Sequence, residues 1–67
     1  MFKVIKSYNL TSTERKIINF MIENNHEVAS SPRITCRFEE MEDGTTKVRA
    51  YHKSDDRTWI HIIRKAA

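Results

Sequence analysis

From residue 33 to the C terminus, apolar and polar side chains alternate at roughly period two through ITCRF, KVRAY and WIHII. Two polar interruptions, Glu42-Asp43-Gly44 and Ser54-Asp55-Asp56, divide it. Such a pattern buries one face of a strand and wets the other, and short polar interruptions join such strands as antiparallel neighbours. It predicts a three-stranded meander over 33–41, 45–53 and 57–65.

The first turn sets the register. A two-residue Asp43-Gly44 loop would place Phe38 opposite Arg49 and mix the two faces. A three-residue loop, Glu42-Asp43-Gly44, suits a type I turn closed by a left-handed glycine. It pairs Phe38 with Val48, Cys36 with Ala50, and Glu39 with Lys47. A three-residue second turn, Ser54-Asp55-Asp56, aligns Ala50 with Ile60 and Val48 with Ile62. The expected core face is therefore Ile34, Cys36, Phe38, Val48, Ala50, Ile60 and Ile62. The expected open face carries a row of Arg37, Arg49 and His61, a row of Thr35, Tyr51 and Trp59, and a row of Glu39, Lys47 and Ile63.

Upstream, FKVIKSY over 2–8 reads as a first strand with Phe2 and Val4 on one face. TSTERKIINFMIENN over 11–25 reads as the one clear helix. Thr11 and Glu14 have capping-box spacing, in which the hydroxyl accepts from the backbone N–H of residue 14 and the carboxylate returns to residue 11. Ile17, Ile18, Met21 and Ile22 form its apolar stripe, and Asn24-Asn25 suits its closure. LTSTERKIINFMIENN resembles the first helix of a winged helix-turn-helix. HEVASSPRITCRF, which follows, leaves no room for a recognition helix, so a complete winged helix is excluded. Residues 26–32 are read as a connection, with Pro32 barring helix continuation. The expected architecture is one α+β domain over 1–67: an N-terminal strand, one helix and the meander, with the helix packed on one sheet face.

At 67 residues the chain supports a single core near the lower size limit for independent folding, which allows a homodimer. No apolar run approaches the roughly 20 residues that span a bilayer, and MFKVIKSYN carries charge where a leader would need an apolar core. The single cysteine, Cys36, forms no internal disulfide, which points to a reducing, cytoplasmic setting; on an apolar-facing position it reads as a buried, inert thiol. A net charge of +3 favours anionic partners.

The open face carries the functional expectation. Arg37 opposite Arg49 is a like-charge pair that costs a few tenths of a kcal/mol, and an anion such as phosphate bridging the guanidinium groups would relieve it. Tyr51 beside Trp59 would offer a surface for stacking unpaired bases. Arg37, Lys47, Arg49, Tyr51, Trp59 and His61 are therefore the candidate binding residues. The favoured reading is non-enzymatic binding of single-stranded nucleic acid. The alternative is a small interaction or inhibitor protein that docks on a larger acidic protein through this face or a strand edge. A small-ribonuclease reading would use His61, Arg37, Arg49 and Tyr51 but lacks a second well-placed acid or base. His52 should point to the core edge, and His26 should lie on the surface after the helix. No cofactor or metal motif is present: Gly44 is the only glycine, and Cys36, His52 and His61 lack zinc-ligand spacing.

Overall fold

A computed structural model describes residues 2–66 of the chain. The elements are β1 (Phe2–Ser7), α1 (Ser12–Glu23), β2 (Val28–Ser30), β3 (Ile34–Glu40), β4 (Thr46–His52) and β5 (Arg57–Lys65). The strands form one antiparallel sheet in the order β1-β5-β4-β3-β2, with the helix on one face. This corrects the expected strand, helix and three-stranded meander. The architecture is a five-stranded sheet with one short helix. β1 closes one side against β5, and the segment expected to be a plain connection supplies β2. That strand follows from backbone satisfaction: Val28, Ala29 and Ser30 pair with Arg37, Cys36 and Thr35, so β3 gains a partner on its otherwise free side.

Thr11 caps the helix, its hydroxyl accepting from the Glu14 N–H at 3.1 Å. Asn25, at φ 53°, turns the chain out of the helix. Ile18 and Met21 are fully buried against the sheet, with Ile17 and Ile22 packed beside them. The β3–β4 hairpin has the expected register, with Phe38 opposite Val48, Cys36 opposite Ala50 and Arg37 opposite Arg49. Gly44 sits at φ 86° in the left-handed position that this turn requires.

The second hairpin differs by one residue. His52 pairs with Arg57, so its loop is Lys53 to Asp56 rather than Ser54 to Asp56. Asp56 takes φ 51°, a left-handed conformation that aspartate tolerates. Because strand side chains alternate with period two, this single residue turns β5 over. Val48 lies opposite His61 and Ala50 opposite Trp59, while Arg49 lies opposite Ile60. His61 and Ile63 are fully buried under the helix, Trp59 is half-buried there, and Ile60 and Ile62 are on the open face. The placements of Ile60 and Ile62 in the core, and of Trp59, His61 and Ile63 on the open face, are thereby corrected.

Candidate functional site

The inverted β5 divides the six candidate residues between the two sides of the sheet. Arg37, Lys47, Arg49 and Tyr51 lie together on the open face, with Arg37 directly opposite Arg49 and Tyr51 opposite Thr35. Trp59 and His61 lie on the helix side, so the Tyr51–Trp59 platform and the Arg37–Arg49–His61 row do not form. Nor does the ribonuclease set assemble, because the sheet separates His61 from both arginines.

β1 adds to the open face what the sequence reading left out. Lys3 pairs with Arg64 and Lys6 with Ile62, and β1 carries a bulge between Val4 and Lys6 at which Ile5 is half-exposed. The face thus carries six basic side chains, Lys3, Lys6, Arg37, Lys47, Arg49 and Arg64, against the single carboxylate of Glu39, which pairs with Arg49 at 3.5 Å. Two further carboxylates stand at its margins. Asp43 accepts from the Thr45 hydroxyl and backbone N–H, which, aided by the charge of Arg64, holds it below the usual carboxylate range. Asp56 accepts from the Tyr51 hydroxyl at 2.8 Å; that bond, and then the carboxylate's charge, holds the phenol above its usual range. Ile60 is 39% exposed, and Ile62 lies next to it along β5 with Lys6, Lys47 and Arg64 around it. Thr35, Arg37, Arg49, Tyr51 and Thr58 line a shallow concavity of about 330 Å³.

The helix side contains a buried polar network that the sequence reading missed. Glu14 is fully buried, and its carboxylate accepts on one oxygen from the Thr11 hydroxyl at 3.0 Å and from His52 Nε2 at 3.0 Å. Its other oxygen accepts from His61 Nε2. The Thr11 backbone is not its partner, so only half of the expected capping box is made. With one ring proton on Nε2, His61 has Nδ1 free to accept from the Ser7 hydroxyl at 3.0 Å. The available signal was position: Glu14 lies four residues before Ile18 and seven before Met21, on the same helix face as the apolar stripe.

His52 is half-buried and lies edge-on to Trp59, whose ring stacks on Tyr8 at 4.7 Å and 10°. His26 is exposed and stacks on Phe20. Cys36 is buried, and burial followed by the nearby Glu14 charge pushes its thiol up to about 12. Among the described residues, no group of three or more His, Cys, Asp or Glu is arranged to hold a metal ion, and no helix is long and apolar enough to cross a membrane. No family model, curated protein or solved structure matches the chain.

Proposed function

We propose that the chain is a binding module whose open sheet face docks on an acidic surface of a larger protein. The observation that carries this reading is the make-up of that face: an aliphatic ridge, Ile60 and Ile62, set among basic side chains. An apolar centre within a charged surround is the anatomy of a protein interface, and its cations steer an acidic partner into register. The two sheet edges suit docking less well. β1 is bulged and bears Lys3 and Lys6, and β2 is three residues long.

Single-stranded nucleic acid is the second reading, favoured by the six cations and by the Arg37–Arg49 concavity. Tyr51 alone remains there for stacking, and its hydroxyl is tied to a carboxylate that would repel phosphate.

The experiment is a capture assay from nuclease-treated extract, paired with anisotropy on a labelled single-stranded oligonucleotide. Protein docking predicts a partner that is retained at high salt by the wild type and lost on Ile60→Asp, in a variant that keeps its fold. Oligonucleotide binding that falls steeply with salt and is unaffected by the uncharged Ile60→Ser would move the assignment to nucleic acid.

A further inference from the structure

We propose that Ser7, His61 and Glu14 form a nucleophile–base–carboxylate relay that accepts an acyl or phosphonyl group from a small activated ester or phosphonofluoridate. This goes beyond the binding reading and does not rest on it, because the relay lies on the opposite side of the sheet from the basic face.

The relay is continuous. The exposed Ser7 hydroxyl donates to His61 Nδ1 at 3.0 Å, and His61 Nε2 donates to the fully buried Glu14 carboxylate. Thr11 and His52 hold the other Glu14 oxygen at 3.0 Å each, so the carboxylate faces the imidazole without needing to reorganise. A reactive serine needs these parts: a hydroxyl within hydrogen-bond reach of a base, and a third group that orients the base and stabilises its cation. Ser7 and His61 are the catalytic residues of this scheme, and Glu14 is a positioning residue. A buried ionisable pair is also a costly way to fill a core, because apolar side chains of similar volume would do so without desolvation.

Tyr8, which follows Ser7 in the chain, stacks on Trp59 at 4.7 Å and 10°. In the acyl step Ser7 Oγ bonds to the ester carbonyl carbon and its proton passes to His61 Nδ1. The carbon–oxygen bond to the leaving group then breaks, and the departing oxygen takes that proton. Water, deprotonated by the same nitrogen, adds to the acyl carbon; Ser7 Oγ leaves as the proton returns to it, and the acid is released.

The test uses a fluorophosphonate, which forms a phosphorus–oxygen bond to an activated serine with loss of fluoride. The folded wild type should gain one adduct, located at Ser7 by peptide mapping, and Ser7→Ala, shown by circular dichroism to keep its fold, should lose it. A second measurement compares iodoacetamide alkylation of Ser7→Cys with that of Ser54→Cys, an exposed control, at neutral pH. Base assistance from His61 predicts alkylation at residue 7 faster by at least about 10-fold, a threshold below the roughly 10²–10⁴-fold of positioned general-base catalysis, while buried Cys36 stays unreacted. Either the absence of a Ser7 adduct in the folded wild type, or equal alkylation rates at the two positions, overturns the proposal and leaves the network as the bond between helix and sheet.

Discussion

Glu14 joins the helix to the sheet. It is fully buried, and its carboxylate takes hydrogen bonds from α1's cap, from β4 through His52 and from β5 through His61. Removing one partner of such a network leaves the others desolvated and unmet, which costs about 3–5 kcal/mol for a buried charged group. Glu14→Ala should therefore lower unfolding free energy by roughly that amount in urea titration, and His52→Gln, at the half-exposed edge, should cost less. A loss below about 1 kcal/mol for Glu14→Ala would mean that water replaces the carboxylate. Cys36 supplies a pH test. Its thiol is raised from an ordinary 9.0 to about 12, so between those values the unfolded chain releases a proton that the folded chain keeps. Stability from this group is intact below about pH 9 and falls as pH rises towards 12, by about 1.4 kcal/mol per pH unit. The difference in slope between wild type and Cys36→Ala, measured by denaturant titration over that window, reads this contribution directly; parallel slopes would contradict it.

At the scale of elements, β5 decides which residues meet. Its stretch TWIHII has apolar side chains at both parities: Trp59 and Ile63 on one, Ile60 and Ile62 on the other. Periodicity alone does not choose between them. The β3–β4 hairpin was legible because one glycine at the left-handed position and an unambiguous alternation agree on one register. In the second hairpin no glycine marks the loop, and Asp56 takes the left-handed position itself. The loop is therefore one residue longer than read, and the face of β5 inverts. Two substitutions check that inversion. Ile60→Asp, on the open face, should leave stability within about 1 kcal/mol of the parent, whereas Ile63→Asp, fully buried, should cost several kcal/mol or abolish folding. Thermal unfolding that ranked them in the reverse order would restore the other register. The candidate site was legible to the same extent: Arg37, Lys47, Arg49 and Tyr51 depend on the first hairpin and share a face, while Trp59 and His61 depend on the second and do not.

For the whole molecule, charge is divided between the two sides of the sheet. The open face holds six of the twelve lysines and arginines but only one of the nine acidic residues, with Asp43 and Asp56 at its margins. Two such faces repel when brought together, most strongly at low ionic strength, where screening extends beyond about 10 Å. Trp59 and Ile63, which an open-face placement would have offered to a second copy, lie on the helix side instead. Sedimentation in low salt should accordingly give a monomer at high micromolar concentration. A dimer that strengthens as salt is lowered would show that the basic faces do not control association.

What the sequence determined by itself was local: the helix with its Thr11 cap, the alternating strands, and the hairpin closed at Gly44. These are set by interactions between residues close along the chain, so propensity, periodicity and one obligatory left-handed position suffice to read them. The tertiary structure decided the rest: that Val28–Ser30 pairs with β3, that β1 lies against β5, and that β5 turns His61 inward to meet Glu14. The choice among these rests on satisfying backbone groups and buried charge throughout the sheet, which no local pattern encodes.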